Sequence, residues 1–283
     1  MAFARGSDRI IHALVAGGLA LAAATPLRAE PPARVVSMNL CTDQLALMLA
    51  REGQLISVSD IAQDPLTSAM HEEASAVPVN HGGAEEIFLL QPDLVLAGVW
   101  SDPTTVSMLR SLGIEVAQIG VANSLADVPD RVREVATLLG REDAAEALIR
   151  RFETDLARLA GPADGPRSAF YYPIGYTLGT GTLSHDIVTH AGFSHIAEEL
   201  GRDTSGRVAL ELMVLAAPDL VIGTAPYPGA SRSEEILRHP ALRSLTETAR
   251  GAESGPDWIC GTPHVVRALA DMVAIRAEIE AGE

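Results

Sequence analysis

The sequence contains no lysine, so its 21 basic residues are all arginine, and 37 aspartate and glutamate residues outnumber them. The formal net charge is −16 at pH 7. Nucleic-acid binding depends on basic side chains that neutralise phosphates, and attraction to anionic membrane surfaces also needs basic side chains. We therefore expect neither nucleic acid nor an anionic membrane surface to be a partner.

The local motifs of many enzyme classes are also missing. The sequence has no phosphate-binding Gly-x-x-x-x-Gly-Lys, no dinucleotide-binding Gly-x-Gly-x-x-Gly after a strand and no Gly-x-Ser-x-Gly. Its histidines are scattered, without the helical pair that is typical of zinc hydrolases. We therefore expect a protein that is not an enzyme and that has no resident cofactor.

The first 29 residues have the layout of a secretory signal peptide. Arg5 and Arg9 precede an apolar run at 10–24, and Leu27-Arg28-Ala29 resembles a cleavage site. The run of about 15 residues is shorter than the roughly 20 needed to span a bilayer. We expect export to the periplasm, removal of residues 1–29 and no membrane insertion of the mature chain.

Short apolar runs alternate with helical periodicity through the rest of the chain, which is typical of an α/β fold with parallel sheets. The predicted strands are 34–38, 55–58, 94–97, 115–119, 168–172, 220–223 and 257–260. The predicted helices are 42–51, 84–91, 104–112, 184–191, 210–217 and 263–280.

One long helix is predicted over 141–160, where apolar residues recur at helical spacing until Gly161-Pro162 ends the pattern. This helix divides the chain into an N-terminal lobe at 30–140 and a C-terminal lobe at 164–283. Residues 141–163 then form the interdomain helix and linker.

A repeated segment supports two related lobes. Glu85 lies seven residues before Pro92-Asp-Leu-Val, and Glu211 lies seven residues before Pro218-Asp-Leu-Val. Proline ends helices and aspartate favours turns, so any α/β protein can contain such a helix–turn–strand segment. The identity and the equal offset of the glutamates favour an internal duplication.

The few Trp and Tyr residues fall at or just beyond the carboxyl ends of predicted strands. In open α/β sheets this edge is where ligands bind. Aromatic rings with one polar group suit a large, partly polar ligand. The aromatic residues at this edge are Trp100, Tyr171, Tyr172, Tyr176, Tyr227 and Trp258.

Four segments together resemble the class III periplasmic binding proteins, which serve importers of vitamin B12, haem and ferric siderophores. Residues 34–43, Arg-Val-Val-Ser-Met-Asn-Leu-Cys-Thr-Asp, resemble that family's first strand and loop. The two Glu…Pro-Asp-Leu-Val segments look like its docking helices. Arg238-His-Pro-Ala-Leu242 and Trp258-Ile-Cys-Gly-Thr-Pro-His264 resemble its late turn and its final strand and helix start.

The resemblance implies two Rossmann-like α/β lobes with central parallel sheets, joined by one long rigid helix, with a ligand cleft between them. It implies a monomeric receptor that delivers a metal chelate, either a ferric siderophore or a cobalamin-type corrinoid, to the membrane subunits of an ABC importer. Glu85 and Glu211 would dock to those subunits, although Glu86 could replace Glu85. From their placement at the carboxyl ends of predicted strands, the expected ligand-binding residues are Asn39, Cys41, Trp100, Tyr172, Tyr176, Tyr227 and Trp258.

The resemblance also places Cys41 and Cys260 on the ligand side, one in each lobe. Three interpretations stay open: buried or ligand-adjacent free thiols, a disulfide across the cleft, or thiolate ligands to a metal. We favour free thiols, because a permanent bridge would hinder ligand entry and two cysteines alone are a poor metal site.

Two other functions remain as alternatives. A zinc or manganese receptor of a related two-lobed type would need three or four converging ligands. Only His81, His185 and Asp186 lie near predicted cleft loops. A secreted α/β enzyme with an unrecognised motif is the other alternative.

Overall fold

The computed structural model describes residues 1–2, 30–224 and 232–282. The signal-peptide prediction and Tyr227 lie outside these residues. Met1–Glu30 and Pro31–Glu283 form two separate units, and the fold described below belongs to the second.

Strands of the N-terminal half form a parallel sheet with the order β3-β2-β1-β4-β5. They are β1 (Val35–Ser37), β2 (Leu55–Ser59), β3 (Val79–Asn80), β4 (Leu94–Gly98) and β5 (Val116–Ile119). The chain order reverses between β1 and β4. This reversal creates a topological switch point, the place where open α/β sheets bind ligands.

The main sheet of the C-terminal half repeats this topology with four strands instead of five. The strands of this half are β6 (Arg167–Phe170), β7 (Tyr176–Thr177), β8 (Ser194–His195), β9 (Gly206–Arg207), β10 (Leu220–Gly223) and β11 (Arg250–Glu253). The order β11-β10-β6-β8 is parallel, and β7 pairs with β9 in a separate antiparallel ladder. The switch point of this sheet lies between β6 and β10.

Helices connect the strands, as the alternating pattern predicts. The α-helices of the described residues are α1 (Leu40–Leu49), α2 (His71–Ala74), α3 (Ala84–Leu89), α4 (Pro103–Ser111), α5 (Asp127–Leu139), α6 (Glu142–Arg158), α7 (Leu183–His190), α8 (Ile196–Glu199), α9 (Leu210–Ala216), α10 (Pro240–Thr248) and α11 (Val265–Ala281). The two-lobed α/β fold with parallel sheets is confirmed.

The long helix of the prediction is α6, which lies in the chain between the two sheets. Its apolar face buries Ala145, Ile149 and Phe152. The left-handed residue Gly140 separates α6 from α5, as is common where a helix ends. Helices α1, α5, α6, α11 and α7 pack in that order, so the largest core cluster takes residues from both halves. The lobe boundaries at 140 and 163 stay a prediction.

The predicted strand at 257–260 is wrong. Pro256–Trp258 is a 3-10 helix, because proline at its first position fixes φ and provides no ladder N–H. The edge strand is β11 instead. Its sequence, Arg-Gly-Ala-Glu, has no apolar run that would predict a strand. It pairs with β10 alone and is largely exposed.

Side-chain geometry repeats at the two Pro-Asp turns. Asp93 Oδ2 accepts the backbone N–H of Arg34 at 2.9 Å, where β1 begins. Asp219 Oδ2 accepts the backbone N–H of Arg167 at 2.7 Å, where β6 begins. Each aspartate thereby ties a turn to the start of the neighbouring strand.

The same two arginines hold the ends of α3 and α9. Arg34 Nη2 donates to the Leu90 carbonyl at 2.6 Å, and Arg167 Nη1 donates to the Ala216 carbonyl at 2.5 Å. Carbonyl groups at a helix end have no partner within the helix, and a cation there also suits the helix dipole. This agreement between the halves supports the internal duplication.

Candidate ligand-binding site

A cavity of about 120 Å³ opens at the switch point of the N-terminal sheet. It lies where β1, β4 and β5 end and α1 begins, and Ile259 and Gly261 of the C-terminal half line one side. The lining side chains and turns include Asn39, Cys41, Gly98, Val99, Trp100, Gly120, Val121, Ala122, Arg131, Ile259 and Gly261.

The rim of this cavity is apolar and exposed. Trp100 is 87 % exposed, and Val99, Val121 and Ile259 are also among the exposed large apolar residues. Exposed apolar side chains that cluster at one place mark a binding surface. The indole of Trp100 adds a flat face and one N–H donor, which suits a large ligand with polar edges.

Asn39 provides a polar group inside the rim. It is the N-cap of α1, and its Oδ1 accepts the backbone N–H of Cys41 at 3.1 Å. Its Nδ2 has no hydrogen-bond partner among the described residues. A Cβ at position 98 would lie 2.9 Å from Asn39 Cγ, so any other residue there would displace the Asn39 side chain.

Arg131 is a lining residue that the sequence reasoning missed. It lies in the second turn of α5, the helix that follows β5. A helix that follows a parallel strand begins at the ligand-binding edge of the sheet, and this rule was the available signal.

The preference for free thiols is wrong, because Cys41 and Cys260 form a disulfide. Their Cα atoms lie 5.2 Å apart, within the range that a disulfide requires. The bridge joins the first turn of α1 to the segment before α11. It does not block entry, since Cys41 lines the cavity and Cys260 lies buried behind it, while the rim stays exposed.

Backbone and polar contacts accompany the bridge. A Cβ at Gly261 would lie 2.2 Å from Ala122 Cβ, so the two halves approach here as closely as glycine allows. The backbone N–H of Leu125 also donates to Asp186 Oδ2 at 2.7 Å, which ties the loop after β5 to α7. The cavity therefore lies where the halves are joined.

Trp258, Tyr172 and Tyr176 do not line this cavity. Trp258 is 8 % exposed and packs edge-on against Phe170, with ring centroids 5.9 Å apart. The Tyr172 hydroxyl is hydrogen-bonded to Ser254 Oγ at 3.0 Å. Tyr176 is exposed in β7 and does not line this cavity. The structure thus brings Asn39, Cys41 and Trp100 together at one cavity.

Histidines near the predicted cleft loops pair separately. His81 Nδ1 lies 3.2 Å from Glu86 Oε1, and His185 Nδ1 lies 3.1 Å from His195 Nδ1. Burial, followed by the charge of His185, lowers the pKa of His195 to about 4. Within residues 30–224 and 232–282, no three His, Cys, Asp or Glu side chains converge to hold a metal ion.

A second buried titratable group lies beside β1 and β2. Asp43 in the first turn of α1 accepts the Ser59 backbone N–H at 3.2 Å and is also hydrogen-bonded to the Ser59 hydroxyl. Burial raises the pKa of Asp43 to about 7, although bonds from Ser37 and Ser59 oppose this shift.

Glu85 and Glu211, the glutamates predicted to dock, lie in equivalent first turns and are exposed. Glu86 is occupied, because its Oε2 accepts the backbone N–H of His81 at 2.8 Å, and this bond is the main cause that lowers its pKa. Neither Glu85 nor Glu211 has a hydrogen-bond or ion-pair partner among the described residues. The geometry therefore favours Glu85 over Glu86 as the presented carboxylate.

The two halves are α/β lobes with parallel sheets, and the cavity lies at a switch point where they meet. This arrangement is typical of ligand-binding receptors whose site lies between two lobes. The family model for periplasmic binding proteins matches residues 35–251, and the chain belongs to this family. None of the described helices is both long and apolar enough to cross a membrane.

Curated relatives carry names that refer to corrinoids. A cobalamin-binding protein of Halobacterium salinarum is 28 % identical over 228 residues, which cover 78 % of this chain and 62 % of that protein. The chain therefore spans less than two thirds of this relative. A vitamin B12-binding protein of Pectobacterium carotovorum is 27 % identical over 218 residues, covering 74 % of this chain and 69 % of that one.

Solved structures show the same fold. The periplasmic haem-binding protein of Vibrio cholerae superposes with a TM-score of 0.70 at 19 % identity, covering 86 % of this chain and 98 % of that one.

Proposed function

We propose that this protein is the substrate-binding component of an ABC importer and that its ligand is a metal chelate of the corrinoid type. Family membership together with the exposed Trp100 at a switch-point cavity carries this proposal. Both curated relatives described above are named for cobalamin or vitamin B12. A ferric siderophore is the second candidate ligand, and the protein is proposed to bind it without catalysis.

The size of the cavity supports a ligand that is mostly outside it. Sites that enclose a drug-sized ligand measure about 300–1,000 Å³, whereas this cavity measures about 120 Å³. The cavity therefore fits one edge of a large macrocycle, and the ring itself would lie against Trp100 and the apolar rim.

Tryptophan fluorescence tests the ligand class. Mature protein from residue 30 onward would be titrated with cyanocobalamin, hemin and ferrichrome. We expect saturable quenching by cyanocobalamin in the wild type and in Trp258→Phe, and loss of most of that signal in Trp100→Phe. Absence of saturable binding by cyanocobalamin, measured independently by calorimetry, would overturn the corrinoid assignment, and binding of ferrichrome alone would support the second candidate.

Docking through Glu85 and Glu211 is part of the same proposal. Because the two halves are duplicated, one carboxylate from each can contact equivalent arginines on a two-fold symmetric membrane partner, and such contacts give orientation and on-rate. An alternative role is local, since glutamate in a first turn also stabilises its helix by a few tenths of a kcal/mol.

Charge reversal separates the two roles. Glu85→Arg with Glu211→Arg should preserve folding and ligand affinity and abolish ligand-stimulated ATPase activity of the importer in vesicles. Glu115→Arg with Glu153→Arg is the matched control, because both residues are exposed and the change in net charge is the same. Equal ATPase stimulation by the two double variants would rule out docking through this pair.

Export to the periplasm as a monomer completes the proposal. The mass of the secreted protein should correspond to loss of residues 1–29. Retention of those residues in membrane fractions would instead indicate an anchor.

A further inference from the structure

The cavity contains one charged side chain among its described lining residues, and that side chain is cationic in a chain of net charge −16. This residue is Arg131. The ligand contacts proposed so far involve Trp100 and the apolar rim, and they give Arg131 no role.

Most N–H groups of Arg131 have no hydrogen-bond partner among the described residues. Its Nη1 donates to Glu134 Oε2 at 2.5 Å, which accounts for one of the five N–H groups of a guanidinium. The Nε atom is buried and has no partner among the described residues. Gly120 leaves the space for this arrangement, because a Cβ there would lie 2.8 Å from Nη1.

Nearby carboxylates offset the charge of Arg131. Glu134 forms an ion pair with it. Asp127 lies one turn earlier on α5, and although burial opposes its ionisation, hydrogen bonds from Ser124 and Asn123 and the charge of Arg131 lower its pKa. The cavity therefore offers N–H donors with little net positive charge. Asn39 Nδ2 adds an uncharged donor on another side of the same cavity.

We propose that Arg131 and Asn39 together bind carbonyl oxygens of uncharged carboxamide groups at the edge of the ligand, and that Arg131 determines specificity for such edges. This inference rests on the proposed corrinoid function, because a corrin ring carries carboxamide side chains on its periphery. A carboxylate edge, such as a haem propionate, would add a further negative charge beside Glu134 and Asp127. The site would therefore discriminate against carboxylate-bearing chelates.

Matched ligands test the charge preference. Calorimetric titration would compare cyanocobalamin with its isolated monocarboxylic acids, in which one carboxamide is hydrolysed. For the wild type we expect at least one acid to bind about tenfold or more weakly than the parent, because its added negative charge is repelled by Glu134 and Asp127. Tighter binding of an acid, with affinity that falls as salt rises, would overturn the inference.

Matched variants test the residue. Arg131→Gln should weaken cyanocobalamin binding by about tenfold or more, since one charged donor group is lost, and Arg131→Lys should restore part of it. Asn39→Asp should also weaken binding while keeping the helix cap, because aspartate caps as well as asparagine. Arg133→Gln is the control, because it makes the same charge change two residues away, where Arg133 pairs with Glu146 outside the cavity.

The outcomes distinguish this inference from the proposed function. If the wild type binds cyanocobalamin and Arg131→Gln binds it within twofold of the wild type, the inference is overturned and the proposed function stands. No binding of cyanocobalamin by the wild type would overturn the function, and the carboxamide assignment with it. Equal losses in Arg131→Gln and Arg133→Gln would also overturn the inference, since they indicate a general charge effect.

Discussion

The two halves agree at α3 and α9, the proposed docking helices, and differ at their switch points. In both halves an arginine and an aspartate hold the helix and the following turn, and Leu89 and Leu215 are 71 % and 79 % exposed at equivalent positions. At the N-terminal switch point, Asn39 and Trp100 border an open cavity. At the C-terminal switch point, the Tyr172 hydroxyl is bonded to Ser254.

This difference indicates which surfaces can stay duplicated. The proposed symmetric membrane partner would meet α3 and α9 in the same way, so the geometry of these helices can remain equivalent. A single chelate ligand has no such symmetry, so one half can provide most of the cavity while the other lines one side with Ile259 and Gly261. Duplication thus persists at the proposed partner surface and is lost at the ligand site.

Breaking the covalent link between the halves should have the largest effect. The Cys41–Cys260 disulfide closes a loop with a sequence separation of 219 residues, and in the chain-entropy model its loss lowers the free energy of unfolding by about 5 kcal/mol. Urea denaturation of Cys41→Ser with Cys260→Ser, compared with the oxidised wild type, measures this effect. Two free thiols in the denatured, unreduced wild type would contradict the bridge.

Substitutions of the two tryptophans should have different effects, one on stability and the other on ligand binding. Trp258→Ala leaves a cavity beside Phe170 and should lower the free energy of unfolding by about 3–5 kcal/mol. Trp100→Ala removes an exposed ring and should change stability by less than about 0.5 kcal/mol while weakening ligand binding. Denaturation and calorimetry on both variants check this contrast, and similar stability losses in the two would contradict the placement of Trp100 at the rim.

The buried carboxyl of the N-terminal half should make stability fall as pH rises. The pKa of Asp43 is raised to about 7, so the folded state keeps a proton that the unfolded state loses between about pH 4 and 7. Its stabilising contribution is fully present below pH 4 and is lost by pH 7, up to about 4 kcal/mol at 1.36 kcal/mol per unit. Asp43→Asn removes this titration, so its stability relative to wild type should rise across that window. Parallel pH profiles would show that Asp43 does not titrate there.

The buried histidine of the C-terminal half should make stability fall as pH falls. The pKa of His195 is lowered to about 4, so the unfolded state gains a proton between about pH 6.5 and 4 that the folded state excludes. Stability is therefore lost as pH falls through that window, by up to about 3 kcal/mol. His195→Gln should reduce this acid sensitivity in urea titrations at pH 4.5 and 7. An unchanged slope would assign the acid sensitivity to other groups.

Local patterns were sufficient to predict most of the fold. The apolar runs of β1, β4 and β10 predicted buried strands, and the Pro-Asp turns predicted where α3 and α9 end, because hydrophobic periodicity and turn chemistry act over a few residues. The strand β11 was not predictable in this way, because Arg250–Glu253 has no apolar pattern and is a strand only through its pairing with β10.

The site was predictable only in part, for the same reason. Placement after a strand identified Trp100 and Asn39, because the carboxyl edge of a parallel sheet follows from strand order. By itself the sequence therefore determined the α/β class, the repeated Glu…Pro-Asp-Leu-Val segments and the candidate edge of the sheet. Only the tertiary structure decided that Cys41 meets Cys260, that Trp258 is buried against Phe170 and that Arg131 reaches the cavity. These contacts join residues far apart in the chain, and their geometry depends on how the two halves pack, which no local pattern encodes.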